Sequence, residues 1–123
     1  MLLLDTHVFL WWRTNHLRLS PDAREVIATT SIVFVSAASA WKAAIKIALG
    51  KLILPEPFSQ GVAHSGFRRL AISFEHAEAA AALPRHHGDP FDRMLVAQAQ
   101  LEGCTLVTHD QMMAPYGIQT LWT

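Results

Sequence analysis

The sequence predicts an α/β domain of three layers, α/β/α, with a parallel sheet of four or five strands. Two observations favour this fold. The apolar runs Leu2–Leu4 and Thr105–Val107 have the length of short buried strands, and an aspartate follows each of them closely. Segments of helical length separate the predicted strands, and strands that alternate with helices are typical of a parallel sheet. We therefore assign residues 1–123 to a single domain.

The first half of the chain predicts two strands and three helices. Leu2–Leu4 is apolar at every position, as expected of a central strand that is buried on both faces. Val8–Trp12 follows as a short apolar helix. A Ser-Pro pair, which suits a helix N-cap and first turn, begins a helix over Ser20–Thr29, and Ile32–Val35 is the next strand. A helix over Ser36–Gly50 ends at a glycine, a common helix stop.

The second half continues the alternation. We expect a short helix at Phe58–Gly66 and a strand at Leu70–Ile72. A serine caps the alanine-rich helix Ser73–Leu83. The next helix, Asp89–Gly103, has an aspartate cap, a proline at its first position and a closing glycine. Ile118–Trp122 reads as an edge strand at the end of the chain.

Size and composition limit the possible functions. A chain of 123 residues can bury a core without disulfides or structural metal, and its single cysteine, Cys104, excludes both a disulfide framework and a Cys-based zinc site. Ten Lys and Arg balance ten Asp and Glu, so any contact with RNA must be local. Asp5 interrupts the first apolar run, which argues against a signal peptide or a membrane span. We expect a cytoplasmic protein.

Three aspartates are predicted to meet at one edge of the sheet. Asp5 and Asp110 each follow a strand, and the carboxyl ends of parallel strands share an edge. Asp92 lies in the first turn of the helix that leads to the second of these strands. Carboxylates held together repel one another unless a hard divalent cation neutralises them, so the pattern predicts a metal site. The alternative is that two of them begin loops and the third is an ordinary acidic helix N-terminus.

Four segments in this order resemble the PIN domains of VapC-type toxins: Met1–His7, Ser36–Leu52, His87–Ala99 and Leu106–Asp110. The resemblance covers nearly the whole chain. It implies a sheet with strand order 3-2-1-4-5. It also implies an endoribonuclease toxin of a type II toxin–antitoxin system, a hydrolase that depends on Mg²⁺ or Mn²⁺. Such toxins are usually homodimers, and a VapB-type antitoxin holds them inactive.

By position, the resemblance matches Asp5, Asp92 and Asp110 to three catalytic, metal-holding acids of the family. A fourth position departs from the family pattern, because Trp41-Lys42 stands where these domains have Trp-Glu. A fixed ammonium there would compete with the cation. The sequence therefore leaves two alternatives, an active ribonuclease and a catalytically impaired PIN domain that still dimerises and binds antitoxin.

Four further residues have both a functional and an ordinary explanation. Asp89 caps a helix, and an auxiliary role at the metal remains open. Thr108 could hydrogen-bond a metal-bound water or Asp110, and Thr6 could do the same beside the first aspartate, although either could simply satisfy a turn. Arg93 follows Asp92 directly and could contact an RNA phosphate, the alternative being a solvated face.

Two other classes of site have weaker support. His86 and His87 could gather with His109 around the carboxylates, but their spacing does not suit a zinc site and solvated loop histidines explain them. A receiver-like phosphorylation module needs an aspartate at the end of a central strand. The strands at Ile32–Val35 and Leu70–Ile72 are instead followed by serines.

An assembly is also expected. Hydrophobic residues make up 51% of the chain, which can leave apolar surface for a partner. The run Val8–Trp12 and Trp122 are large apolar candidates for such a surface. We therefore expect a homodimer.

Overall fold

Five parallel strands form one sheet in the computed structural model, which describes all 123 residues. The strands are β1 (Leu2–Leu4), β2 (Val33–Ser36), β3 (Arg68–Leu70), β4 (Thr105–Thr108) and β5 (Thr120–Trp122). Their order across the sheet is β3-β2-β1-β4-β5, and every neighbouring pair is parallel. The predicted α/β class and the strand order implied by the family resemblance are both confirmed.

Six α-helices join the strands, and a 3₁₀ helix, Gln111–Tyr116, follows β4. The α-helices are α1 (Thr6–Thr14), α2 (Pro21–Thr29), α3 (Ala37–Ala48), α4 (Phe58–His64), α5 (Phe74–Ala82) and α6 (Pro90–Glu102). The predicted caps of α2, α5 and α6 are in place, because the side chains of Ser20, Ser73 and Asp89 accept backbone N–H groups of the first turns. None of the helices combines the length and apolar character needed to cross a bilayer.

The central strand β1 contributes to two hydrophobic cores, one on each face of the sheet. Leu2 and Leu4 pack with residues of α1 and α2, whereas Leu3 packs with Leu95 and Val96 of α6. Successive side chains of a strand point to opposite faces, so a strand covered on both sides must be apolar at every position. This explains the uninterrupted leucine run and produces the three predicted layers.

The third strand lies two residues earlier than predicted. Leu70–Ile72 was expected, but β3 spans Arg68–Leu70, where two exposed arginines precede the buried Leu70. β3 is an edge strand that pairs only with β2, so its side chains need not be apolar. The apolar run therefore marked the wrong residues.

Smaller boundary differences have local causes. β2 extends one residue beyond its predicted end, because Ser36 still pairs with Leu70 and its hydroxyl then caps α3. β5 is two residues shorter than predicted and begins at Thr120. The 3₁₀ helix after β4 was not predicted.

The apolar run Val8–Trp12 is mostly core rather than free surface. Val8, Phe9 and Trp11 are buried, and only Leu10 and Trp12 are partly accessible. Trp122, the other candidate, is 42% exposed, and further exposed apolar side chains lie on and after α3, where Trp41 is 63% and Leu49 is 64% exposed. The homodimer stays a prediction, but this run contributes little to it.

Candidate metal centre

Asp5 lies at the carboxyl end of β1 and caps α1. Its Oδ1 accepts the N–H of Val8 at 3.1 Å, and its Oδ2 accepts the hydroxyl of Thr108 at 2.7 Å. The residue is only 5% exposed. These bonds fix a buried carboxylate at the edge of the sheet where the sequence placed it.

Asp92 and Asp110 meet at the same edge, with a histidine between them. Asp92 lies in the first turn of α6, and Asp110 follows β4 and caps the 3₁₀ helix. The Nε2 atom of His87 is 2.7 Å from Oδ2 of Asp110 and 3.2 Å from Oδ2 of Asp92. One ligand atom from each of these three residues lies within 4.8 Å of the other two. Of the three aspartates predicted to meet, Asp92 and Asp110 therefore lie in one group, and Asp5 is not a member of it.

The interpretation of His87 as a solvated loop residue is wrong, because its side chain is only 10% exposed. Its backbone N–H donates to the Tyr116 hydroxyl at 2.9 Å, and its Nδ1 accepts the backbone N–H of Asp89 at 3.1 Å. A neutral imidazole that accepts at Nδ1 carries its proton on Nε2. In this arrangement His87 donates a hydrogen bond to Asp110 and does not offer a metal a lone pair.

The other two histidines stay outside the cluster, as expected. His86 is exposed and packs edge-on against Tyr116, with ring centroids 5.1 Å apart. His109 is exposed and bonds through Nδ1 to the carbonyl of Thr123 at 2.6 Å. No helical spacing connects His87 to the aspartates in sequence, so its position could only come from the folded loop.

Lys42 lies in the second turn of α3 and points toward the carboxylates of Asp89, Asp92 and Asp110, which we call the acidic cluster. Its Nζ is 3.1 Å from Oδ2 of Asp89 and 3.9 Å from Oδ2 of Asp92, and its side chain is only 14% exposed. The ammonium also lies 5.9 Å from the ring centroid of Phe91. Asp89 therefore has two roles, since its Oδ1 caps α6 through the N–H of Phe91 while its Oδ2 binds Lys42.

The aspartates of the site differ in acidity. Burial is the main cause that raises the pKa of Asp92 to about 6, and the negative charges of Asp89 and Asp5 add to it against the opposing positive charge of Lys42. At Asp110, burial raises the pKa, but the hydrogen bonds from His87 and from the N–H of Met112 outweigh it and leave the pKa below its ordinary value.

Asp89 follows the same logic as Asp110. Burial raises its pKa, but the hydrogen bonds from Lys42 and from the N–H of Phe91 lower the pKa by more than burial raises it. The net shift is therefore downward. Asp92 is therefore the carboxylate of the cluster whose negative charge is least compensated. A buried, poorly compensated carboxylate is the kind of group that a cation stabilises.

The two threonines have different roles. Thr108 links the predicted ligands, since its hydroxyl donates to Asp5 and accepts the backbone N–H of Asp110 at 3.0 Å. The hydroxyl of Thr6 donates instead to Ser39 at 2.8 Å and joins α1 to α3. Thr6 thus supports the helix packing beneath the site and makes no hydrogen bond to the Asp5 carboxylate.

Arg93 is bound to the end of α5. Its guanidinium donates to the carbonyls of Ala80, Leu83 and Pro84, each at 2.9 Å. The carbonyls of Ala80 and Leu83 have no helical partners at the end of the helix, so the arginine satisfies them, whereas the Pro84 carbonyl also accepts the N–H of His86. The geometry favours a structural role over the predicted RNA contact.

The donor set fits a divalent cation in its chemistry. Asp5, Asp92 and Asp110 supply hard carboxylate oxygens at one edge, the type of ligand that Mg²⁺ and Mn²⁺ prefer. Lys42 and His87, however, direct N–H groups at the same carboxylates. A cation at this place would compete with a resident ammonium.

The whole chain is similar to known proteins. A family model described as PIN domain matches residues 2–117. The chain is 34% identical over 119 residues to Ribonuclease VapC22 of Mycobacterium tuberculosis (strain ATCC 25618 / H37Rv), an alignment that covers 90% of this chain and 88% of that protein.

Solved structures agree on the fold. A toxin–antitoxin complex from Klebsiella pneumoniae superposes with a TM-score of 0.70 at 18% identity and covers 98% of this chain and 96% of its own. VapBC2 from Rickettsia felis, bound to a DNA fragment from its promoter, gives 0.71 at 14% identity, with 97% and 96% covered. At such low identities the likeness bears on the fold alone.

Proposed function

The chain belongs to the PIN-domain family, and on this premise we propose that it is a ribonuclease, the toxin of a type II toxin–antitoxin pair of the VapBC kind. The observation that carries the proposal is the convergence of Asp92 and Asp110 within one cluster, with Asp5 fixed beside them by Thr108. The relative at 34% identity is itself named a ribonuclease, and it aligns with nearly the entire chain.

We assign the roles from the geometry. Asp92 and Asp110 would hold the cation, Mg²⁺ or Mn²⁺, and Asp5 would complete the acidic edge. The chemistry that such a cation supplies when bound is polarisation of a phosphodiester and activation of water. Thr108 holds Asp5 in one rotamer and fixes the backbone of Asp110, while His87 keeps the carboxylates of Asp92 and Asp110 together.

A VapB-type antitoxin is the proposed protein partner. Trp41, Ile45 and Leu49 stand exposed on and beyond α3, on the side of the helix that carries Lys42. Exposed apolar side chains grouped in this way mark a surface that another protein covers. The free, buried Cys104 is compatible with the cytoplasm, where RNA is found.

The test is cleavage of a labelled RNA pool in Mn²⁺. We expect cleavage that EDTA abolishes and that Asp110→Asn removes, because this change replaces a charged ligand with a neutral amide. Asp22→Asn is the matched control, since Asp22 is an exposed acid in the first turn of α2. If Asp110→Asn cleaved as well as the original chain, the proposed site would be wrong.

A second candidate function is a member that binds antitoxin without cutting RNA. The observation that favours it is Lys42, whose ammonium lies among the carboxylates where the family resemblance calls for a glutamate. The discriminating experiment joins both readouts. Tight binding of a coexpressed antitoxin, with no RNA cleavage in Mn²⁺ until Lys42 is replaced by glutamate, would establish this second function.

A further inference from the structure

A polar cavity opens beside the acidic cluster, where the end of α5 faces the start of α6. Its volume is about 380 Å³, and it is lined by Ala81, Arg85, His86, His87, Gly88 and Arg93. Two arginines and two histidines line this cavity and no acidic residue does, although the net charge of the chain is zero. The cavity therefore concentrates hydrogen-bond donors and positive charge.

The two arginines contribute differently. Arg93 is fixed, since its guanidinium donates to the carbonyls of Ala80, Leu83 and Pro84. Neutral carbonyls satisfy its hydrogen bonds without cancelling its charge, so it remains a cation in the cavity wall. Arg85 is exposed and makes no hydrogen bond or ion pair within the chain. Its guanidinium is therefore available to a ligand.

His87 belongs to both the cavity and the acidic cluster. It lines the cavity, and its Nε2 contacts Asp92 and Asp110. A ligand in the cavity would consequently lie next to the place where the carboxylates meet. The His87 ring therefore lies between the arginines of the cavity and the carboxylates of Asp92 and Asp110.

We propose that this cavity binds a backbone phosphate of the RNA strand, adjacent to the bond that the acidic cluster would cut. The negative charges at the site repel an RNA strand, and the neutral chain as a whole offers no compensating attraction. The four aspartates concerned are Asp5, Asp89, Asp92 and Asp110. The guanidinium of Arg85 matches the geometry of phosphate and would hold the strand there, with the fixed charge of Arg93 beside it. This inference rests on the proposed function, which supplies RNA as the ligand.

The test measures binding without cleavage. A labelled single-stranded RNA of mixed sequence is titrated with the protein in EDTA, and fluorescence anisotropy is read at several KCl concentrations. We expect Arg85→Gln to weaken binding roughly fivefold and to reduce the slope of log K against log salt by about 0.7, the value for one lost phosphate contact on a single strand.

Arg68→Gln is the matched control. Arg68 is also exposed and loses the same charge, but it lies in the edge strand β3, two strands away from β1 and three away from β4, which lead to Asp5 and Asp110. Equal RNA affinities of the Arg85→Gln and Arg68→Gln proteins would overturn the proposal. His86→Gln is a second variant, expected to weaken binding less, and thermal melting shows that each variant is folded.

Two further arms identify the ligand. Inorganic phosphate, added at constant ionic strength, should compete with RNA for the original chain more strongly than for Arg85→Gln. If Arg85→Gln changed the affinity for phosphate or for antitoxin but not for RNA, the proposal would be wrong. If the chain cleaved RNA and Arg85→Gln left RNA binding unchanged, the proposed phosphate binding by the cavity would be wrong and the ribonuclease function would stand. If Arg85→Gln weakened RNA binding but neither the original chain nor Lys42→Glu cleaved RNA, the proposed ribonuclease function would be wrong and the phosphate-binding cavity would stand.

Discussion

The ammonium of Lys42 lies 3.1 Å from Oδ2 of Asp89, so a residue of α3 neutralises the cap of α6 inside the acidic cluster. The same nitrogen is 3.9 Å from Asp92. Charges about 4 Å apart interact by about 4 kcal/mol at the effective dielectric of a protein surface, before the cost of desolvation. The chain thus holds a cation of its own at the place proposed for a metal.

Replacement of Lys42 by glutamate should strengthen Mn²⁺ binding at least tenfold. The change removes the competing ammonium and adds an oxygen ligand, and tenfold corresponds to only about 1.4 kcal/mol. Lys42→Met should have an intermediate affinity, because it removes the charge without adding a ligand. The measurement is isothermal titration calorimetry with Mn²⁺.

Lys46→Glu is the control for that series, since Lys46 lies one turn further along α3 and makes the same change of charge. Both glutamates keep nearly the same helix propensity, so the fold should tolerate them. If Lys46→Glu raised Mn²⁺ affinity as much as Lys42→Glu, the change of net charge would explain the effect, and direct competition by the Lys42 ammonium would not.

Replacement of His87 by glutamine should lower the free energy of unfolding by about 2 kcal/mol in EDTA. The imidazole bonds Asp110 through Nε2 and the backbone of Asp89 through Nδ1, and glutamine cannot reproduce both contacts at the same reach. Urea denaturation measures the difference. His86→Gln, in the exposed neighbour, should stay within about 0.5 kcal/mol of the original chain.

Asp92 should make stability depend on pH. Its pKa is raised to about 6 in the folded chain against 3.8 ordinarily, with burial as the main cause. Between these values the folded state binds more protons than the unfolded state, so this contribution is fully present below pH 3.8 and is lost as the pH rises through 6. Asp92→Asn, which carries no titrating charge, should therefore gain stability relative to the original chain as the pH increases.

The expected gain between pH 4 and pH 7 is about 2 kcal/mol, after allowance for solvent screening. Urea denaturation in EDTA at each pH measures it. Asp22→Asn supplies the comparison, and its difference from the original chain should vary little over that range. A difference for Asp92→Asn that fell as the pH rose would contradict the predicted sign.

Local sequence rules located most of the scaffold and the acidic positions beside it. Asp5 and Asp110 were found because each follows a buried apolar strand, and parallel strands end at a common edge. The cap Asp89 and the stop Gly103 of α6 were found because capping depends on a few adjacent residues. These features need no knowledge of how the helices pack.

The remaining features depend on contacts between distant segments. His87 meets Asp110 across 23 positions in the chain, and Lys42 meets Asp89 across 47. Neither pair follows a helical or strand period, so no local pattern could reveal it. β3 was misplaced for a related reason, because an edge strand can expose Arg68 and Arg69 and carries no apolar signature.

Arg93 provides the last prediction, which separates a structural arginine from one that binds RNA. Its guanidinium satisfies three carbonyls at the end of α5, so Arg93→Gln should lower the free energy of unfolding by about 2 kcal/mol, and Arg93→Lys by less because one ammonium reaches fewer acceptors. Arg85→Gln should leave stability unchanged, since Arg85 makes no hydrogen bond within the chain. Urea denaturation compares the three variants. Equal stability of Arg93→Gln and Arg85→Gln would show that the carbonyl contacts are not what keeps Arg93 in place, and the predicted RNA contact would then regain its support.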